Sequence, residues 1–275
     1  MDVFWQLTAT GLANGMIYAL VAIGFVIIYK ASGVINFAQG PLLLAGAYLG
    51  YTFLSLELHP ALALTLTLIS CALIGVFIAL VVLRPLIGEP VISMIMATVA
   101  LSSLLHAIVQ GVWGARPRSF PLSMGFTHLV ALTAVTFLLV GWFFRRSREG
   151  LAMRALADDQ QAAMSVGVSL PRTLAIAWAL ASASAGLAGA LLASMVGVSH
   201  DVAVFGLRVF PVVVLGGLDS LVGAVVGGAV IGLLEAYTGG YVGSGLQRVV
   251  PFVVLLAILM VRPYGLFGKK RMERV

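Results

Sequence analysis

Nine long apolar runs, separated by short polar segments, cover almost the whole chain. An α-helix needs about 20 mostly apolar residues to cross a bilayer, and most of the runs approach or exceed that length. They lie at about 5–29, 41–57, 61–83, 91–112, 126–144, 173–197, 202–218, 221–238 and 247–261. The runs at 202–218 and 221–238 are short and rich in glycine, which also allows a broken hairpin that only partly crosses. The pattern predicts an all-α integral membrane protein, a polytopic helical bundle of about 8–9 transmembrane helices with interrupted helices, in a single domain, 1–275.

The composition agrees with a membrane class. Hydrophobic residues make up 61% of the chain and charged residues 9%, against about 45–50% and about 25% in soluble domains. Cys71 is the only cysteine and lies in an apolar run, so we expect a core residue and no disulfide framework. The net charge is +6, but the basic residues lack the aromatic-rich polar surface of a nucleic-acid-binding protein, and we expect no nucleic-acid partner.

The basic residues predict the orientation in the membrane. Lysine and arginine concentrate in cytoplasmic loops, and the segment 145–172 carries five arginines. We place this segment and the tail after Arg262 in the cytoplasm, and counting crossings from them puts Lys30 and Arg84 there too. Twelve of the 16 basic residues then lie on that side. The N-terminus is then outside and the C-terminus inside. The tail contributes Lys269, Lys270, Arg271 and Arg274, and the exceptions are Arg116, Arg118, Arg208 and Arg248.

No motif in the sequence indicates catalysis or a metal site. A phosphate-binding loop requires Gly-x4-Gly-Lys-[Ser/Thr], and the nearest stretch, 265–270, lacks both the spacing and the hydroxyl. The four histidines are far apart in sequence, without the paired spacing of metal ligands. We therefore expect no enzyme activity, no catalytic residue, no metal and no cofactor in this chain.

Polar residues inside the apolar runs are few. His106 and Gln110 share one helix face, which favours a helix–helix hydrogen bond over a solute contact. Glu235 lies near the outer end of its run, so we expect it to reach the interface, and no run then carries a central charge. The small-residue strings 182–194 and 223–232 are typical of close helix packing in lipid.

Two short stretches share a pattern that suggests a pair of broken helices. GVINFAQG (33–40) and GGLDSLVG (216–223) both have the pattern Gly-x-x-[Asn/Asp]-x-x-x-Gly, and six crossings separate them. Transporters often place interrupted helices at corresponding positions of two repeats. Non-helical backbone at membrane depth can supply N–H and C=O groups to a zwitterionic solute. The residues that we expect to line or shape the solute path are Gly33, Asn36, Gln39, Gly40, Gly216, Asp219 and Gly223.

The longest polar segment predicts a short surface helix. Residues 151–166 favour a helix that ends at Gly167, before a new span begins near Pro171. A solvated connector is the alternative. The apolar residues in this segment suit a helix seated in a groove of a soluble partner instead, and they are Met153, Leu156, Met164 and Val166.

Four motifs in the same order resemble those of one family. The run Gly11–Lys30 leads into GVINFAQG, close to an NG-x-x-YAL-x-A-x-G run followed by an INFAHG signature. The stretches 150–168, 215–223 and 262–268 match as well. Over essentially its whole length the chain resembles the inner-membrane permeases of branched-chain amino-acid ABC importers, of the type with INFAHG. This sequence has Gln39 where the family usually has histidine, and Pro41 where an acidic residue is common.

The resemblance implies one permease subunit in the bacterial inner membrane. It implies a second permease, two cytoplasmic ATP-binding subunits, an extracytoplasmic solute-binding protein and a small-molecule substrate, in contact with membrane lipid. The substrate would be a branched-chain or another small amino acid or amide. A stand-alone secondary carrier or channel is the alternative, and a structural membrane scaffold is a third. The residues implied to couple to the ATPase are Gly150, Arg154, Ala155, Asp158, Ala162 and Gly167.

Overall fold

A computed structural model describes residues 2–123 and 125–268 of the chain. All of its regular segments there are helical, apart from one isolated bridge between Arg118 and Val198. Short π-helical turns, Ala79–Leu83 and Thr238–Val242, continue two of the helices. The helices are α1 (Asp2–Ser32), α2 (Gln39–Ser55), α3 (Pro60–Ile78), α4 (Val91–Trp113), α5 (Phe126–Arg146), α6 (Arg148–Asp158), α7 (Gln160–Ser165), α8 (Leu170–Val196), α9 (Asp201–Arg208), α10 (Phe210–Gly216), α11 (Leu221–Tyr237), α12 (Ser244–Gln247) and α13 (Val250–Val261).

Six helical segments in the described ranges are long and apolar enough to cross a membrane. They are Asp2–Ser32, Pro60–Leu86, Val91–Trp113, Phe126–Arg146, Leu170–Val196 and Leu221–Val242. The polytopic all-α class is therefore confirmed. α2 has 17 residues and α13 has 12, so both are shorter than these six.

The predicted broken hairpin is interrupted in its first arm only. The run 202–218 divides into α9 and α10 at Val209, and Pro211 lies in the first turn of α10, where its missing N–H costs nothing. The second arm, Leu221–Val242, is long enough to span. The tail cations Lys269, Lys270, Arg271 and Arg274 lie outside the described residues.

The core forms around α1 and α8, which are 83% and 78% buried over their most apolar windows, whereas α4 is only 11% buried. Glycine makes this packing close. A Cβ on Gly46 of α2 would overlap the backbone of Gly186 in α8, and one on Gly228 of α11 would overlap Gly15 in α1. The prediction that the small-residue strings 182–194 and 223–232 serve packing is confirmed.

Candidate functional site

The first break lies between α1 and α2. Gly33 adopts φ +69°, and its N–H donates to the Tyr29 carbonyl at 2.8 Å, which ends α1 with a glycine in the left-handed region. Asn36 then accepts the Ala38 N–H on Oδ1 at 2.9 Å and closes a turn immediately before α2. The sequence pattern therefore identified a real interruption, and its glycine and amide each have a defined local role.

Two buried amides connect this break to the middle of α1. Asn36 Nδ2 donates to Gln39 Oε1 at 3.1 Å, and Gln39 Nε2 donates to the Val21 carbonyl at 3.5 Å. Asn36 is 1% exposed and Gln39 is fully buried. Gly24 leaves the space for the Gln39 amide, since a Cβ there would overlap it. The residue that departs from the INFAHG pattern thus connects the two helices. That these side chains contact the solute stays a prediction.

A small cavity borders Asn36. The volume that the centre of a water molecule can occupy in it is about 10 Å³. This is close to the volume that one bound water needs. Thr98 and Trp178 also line it, and the buried indole Nε1 of Trp178 has no hydrogen-bond partner among the described atoms. A neighbouring cleft of about 280 Å³ shares part of this lining and extends to Met164 of α7. The first break is thus next to both a small cavity and the α7 part of the segment 145–172.

The second break, like the first, begins with a left-handed glycine, but it has four residues, 217–220, against six, 33–38. Gly217, with φ +101°, follows α10, one residue after the Gly216 of the predicted pattern. Ser220 is the N-cap of α11, and its Oγ accepts the Gly223 N–H at 3.0 Å. Asn36 lies two residues before Ala38, the N-cap of α2.

Gly216, Asp219 and Gly223, the three residues of the predicted pattern, have other surroundings. Gly216 and Gly223 lie on the facing helices α10 and α11, and a Cβ on either would overlap the backbone of the other. Asp219 lies in the turn and is half-buried. Gly40 of the first break packs in a similar way, against the Ala203 carbonyl of α9. These glycines permit close approach of helices.

The closing motif, 262–268, completes the second break. The backbone N–H groups of Leu266 and Phe267 donate to the carbonyls of Leu215 and Gly216 at 2.8 and 3.1 Å. Gly265, at φ +77°, makes the required turn against Val214. The end of a helix leaves carbonyls without intrahelical partners, and such groups are costly at membrane depth. The motif satisfies two of them, a role that the sequence did not reveal.

The polar segment 145–172 contains two short helices, where the sequence predicted one. Asp159 separates α6 from α7 and caps α7 by accepting the Ala162 N–H at 2.9 Å. Gly167, at φ +90°, ends α7, and α8 begins at Leu170 with Pro171 in its first turn. The predicted end at Gly167 is confirmed, and the break at Asp159 was missed because an aspartate capping signal lies inside a helix-favouring run.

One face of this helix pair is attached to the bundle. Met153 and Leu156 are 0% and 6% exposed, so the prediction that they face a partner protein is wrong. Gly150 allows α6 to lie against α5, because a Cβ there would overlap the Phe143 carbonyl. The opposite face is exposed, and it holds Arg154, Asp158, Ala162, Met164, Val166 and Gly167, whereas Ala155 is half-buried.

The structure brings one predicted path residue next to one predicted coupling residue. Asp219 and Asp158 line the same cleft, together with Tyr29 at the end of α1 and Tyr264 of the closing motif. Asn36 and Gln39 lie at the other break, beside the cleft that reaches α7. Each break therefore borders a cleft that α6 or α7 also lines.

Sequence reasoning missed a buried carboxyl group between α1 and α11. Glu235 is 6% exposed, and its Oε2 accepts a hydrogen bond from the Tyr18 hydroxyl. The prediction that it reaches the interface is wrong. A signal was present, because Glu235 follows Gly228 and Gly232 at helical spacing on the face that packs against α1.

A polytopic helical bundle with paired helix breaks is typical of membrane transport proteins. A protein-family model described as "Branched-chain amino acid transport system / permease component" matches residues 7–259, and the chain belongs to this family. It is a family of transport permease components and not of enzymes.

Relatives match this chain from end to end. The high-affinity branched-chain amino acid transport system permease protein LivH of Salmonella typhimurium is 29% identical over 99% of this chain and 98% of its own length. The corresponding protein BraD of Pseudomonas aeruginosa is 28% identical over the same shares. A solved structure, PsaBC from Streptococcus pneumoniae in complex with Fab, aligns with a TM-score of 0.53 at 14% identity, over 93% of this chain and 90% of that one. At that identity the likeness concerns the fold alone.

Proposed function

We propose that this chain is the membrane-spanning permease subunit of an ABC importer for branched-chain or other small amino acids or their amides. The end-to-end similarity to LivH and BraD, whose names specify branched-chain amino acid transport, carries the proposal. The chain works with a second permease, two cytoplasmic ATP-binding subunits and an extracytoplasmic solute-binding protein. It lies in the bacterial inner membrane, with the N-terminus outside and the C-terminus inside, an orientation supported by the arginine-rich segment 145–172.

The α6–α7 pair receives the force from the ATP-binding subunits. Its exposed face offers charged and apolar contacts, including Arg154, Asp158 and Val166, the last of which is 82% exposed. Its other face is fixed to α1, α5 and α8, so a displacement of the pair moves those helices. A helix seated in a groove of a soluble partner is a common recognition mode.

The two breaks shape the solute path. Backbone that is not helical at membrane depth is tolerated where protein or a water-filled path satisfies its polar groups. Protein groups satisfy the first break, where Asn36 accepts the Ala38 N–H, and the second break borders the cleft that Asp219 lines. Because each break is adjacent to α6 or α7, a movement of these two helices changes the solute path at both breaks.

A stand-alone secondary carrier or channel is the second candidate. The sequence argument against it was the lack of a charge within a span. Glu235 removes that argument, because it is a buried carboxyl group inside the candidate span Leu221–Val242, and carriers use such groups for ion coupling.

Reconstitution distinguishes the two candidates. The complete complex is placed in proteoliposomes with radiolabelled leucine and the binding protein on one side and ATP on the other. We expect uptake that requires ATP hydrolysis and is unchanged by ionophores that remove ion gradients. Uptake by the permease alone, driven by an ion gradient and indifferent to ATP, would establish the carrier instead.

A further inference from the structure

The indole of Trp178 on α8 carries a buried N–H group that makes no direct hydrogen bond. The side chain is 1% exposed, and its Nε1 has no partner among the described atoms. An indole nitrogen can only donate, and a buried donor without an acceptor is costly. Trp113, by contrast, donates to Thr52 Oγ1 at 2.8 Å. The Trp178 N–H therefore requires an acceptor from outside the described protein atoms.

The small cavity beside Asn36 offers room for such an acceptor. Trp178 lines this cavity, and the volume open to the centre of a water molecule is about 10 Å³. A buried water needs about that volume, together with two to four polar partners. The other polar side chains that line the cavity are Ser32, Asn36 and Thr98. The size fits one water, provided that these side chains have lone pairs left to accept its protons.

These three side chains retain acceptor capacity. Ser32 Oγ, Asn36 Oδ1 and Thr98 Oγ1 each accept one backbone N–H, at 3.2, 2.9 and 3.3 Å respectively. Amide and hydroxyl oxygens have two lone pairs, so in the described contacts each oxygen keeps one for a further donor. A water that accepts from Trp178 can donate its two protons to two of these oxygens. It then makes three hydrogen bonds, the usual number for a buried water.

We infer that this cavity is a binding site for one water molecule, which accepts the Trp178 N–H and donates to Asn36 Oδ1. Its second proton goes to the hydroxyl oxygen of Thr98 or Ser32. Trp178 belongs to α8, Asn36 to the first break and Thr98 to α4, so the water joins segments that are distant in sequence. A water bridge is nearly as favourable in enthalpy as a direct hydrogen bond, and it connects α8 to the first break.

The neighbouring cleft gives this water a route to the site. The cleft of about 280 Å³ shares four lining residues with the cavity, namely Ser32, Val34, Met94 and Leu174. Met164 of α7 also lines the cleft, so a movement of α7 changes the access of water to the cavity. When α8 and the first break separate, water from the cleft can satisfy the freed polar groups, which would otherwise be costly at membrane depth.

A map of the wild-type protein tests the site without any substitution. The protein is purified in nanodiscs with the subunits it assembles with, and its structure is determined at a resolution that shows ordered water. We expect a peak about 3 Å from both Trp178 Nε1 and Asn36 Oδ1. Well-ordered side chains around a cavity without a peak would overturn the inference. A Trp178 indole that donates directly to a protein oxygen would overturn it as well.

Ultraviolet resonance Raman spectroscopy tests the same hydrogen bond in solution, since one indole band shifts when the N–H is hydrogen-bonded. Subtraction of the Trp178→Phe spectrum from that of wild type isolates the Trp178 band. The matched standard is Trp113, isolated in the same way with Trp113→Phe, because its N–H donates to Thr52. The Trp178 band should lie at the hydrogen-bonded position, and a band at the position of a free indole would contradict the water site.

Filling the cavity separates a hydrated site from an empty one. Val34→Ile adds one methylene group to a residue that lines the cavity. In a hydrated site the added carbon displaces the water and leaves the Trp178 N–H unpaired, so the unfolding midpoint should fall and the Trp178 band should shift toward that of a free indole. In an empty cavity the same carbon fills a void, so the midpoint would rise with the band unchanged. This second result would overturn the inference.

Discussion

Asp158 at the end of α6 and Asp219 in the break before α11 line the same cleft. The sequence had assigned these two residues to different tasks, ATPase coupling and the solute path. The shared cleft connects α6 to the second break, since a shift of α6 changes the surroundings of the turn 217–220. The closing motif forms another wall of the cleft through Tyr264 and is hydrogen-bonded to α10.

This arrangement predicts that the separation of positions 158 and 219 changes during the ATP cycle. Spin labels at Asp158→Cys and Asp219→Cys report it, on a background in which buried Cys71 is replaced by Ser. We expect the distance distribution in the reconstituted complex to shift when a non-hydrolysable ATP analogue binds. An unchanged distribution in a complex that transports leucine would contradict coupling through this cleft. A label pair within α1 serves as the rigid control.

The closing motif should be essential for the second break. Gly265→Ala places a Cβ against the Val214 carbonyl and the Gly217 backbone and also strains a residue at φ +77°. We expect a loss of about 2–5 kcal/mol of stability, because overlap costs about 1–3 kcal/mol and the left-handed backbone adds about 1–2 kcal/mol, together with loss of uptake. The measurement is the thermal unfolding midpoint of the purified complex, followed by vesicle uptake.

Gly88 provides the matched control. It has φ +94°, yet nothing lies within 4 Å of a Cβ added there. Gly88→Ala should therefore show the backbone cost alone, about 1–2 kcal/mol, with uptake retained. If Gly265→Ala and Gly88→Ala lowered the unfolding midpoint equally, the contact of Gly265 with α10 would contribute nothing to stability.

The apolar pattern predicted the helices well because membrane spans require long uninterrupted runs. All nine runs are helical, and the interruptions at 33–38 and 217–220 fall within or next to the predicted stretches. The left-handed glycine of the second break was missed by one residue, since glycine is abundant and the conformations of Gly216 and Gly217 cannot be told apart from their identity. The N-cap of α11 was missed as well, because Ser220 was not part of the compared pattern.

The candidate site was less predictable, because it depends on contacts between distant segments. Glu235 accepts a hydrogen bond from Tyr18, which is 217 residues away in the sequence. The position of a residue along an apolar run does not show which way its side chain faces. The closing motif meets α10 through backbone groups, which leave no mark in residue type. Met153 and Leu156 were assigned to a partner because a short polar helix gives no indication of the bundle beneath it.

The first break should depend on the acceptor of Asn36 more than on its size. Asn36→Ser keeps a neutral oxygen that can accept the Ala38 N–H, whereas Asn36→Leu leaves a buried N–H unsatisfied. We expect Asn36→Leu to cost about 1–3 kcal/mol, seen as a lower unfolding midpoint, and Asn36→Ser to retain more of the stability. If Asn36→Leu assembles and transports normally, this residue neither closes the turn before α2 nor shapes the path.

Docking of the ATP-binding subunits should depend on the exposed end of α7. Val166 is 82% exposed, and burying a valine side chain in an interface is worth about 1.5 kcal/mol or more. Val166→Asp removes that contribution and adds the cost of burying a charge, so we expect association with the ATP-binding subunits to weaken at least tenfold, measured by titration in detergent. Ser165→Asp adds the same charge at the neighbouring exposed position and should weaken association less. Because neither side chain supports the bundle, the permease itself should keep its unfolding midpoint in both variants. Equal affinity of Val166→Asp and wild type would place the docking surface elsewhere on the cytoplasmic segment.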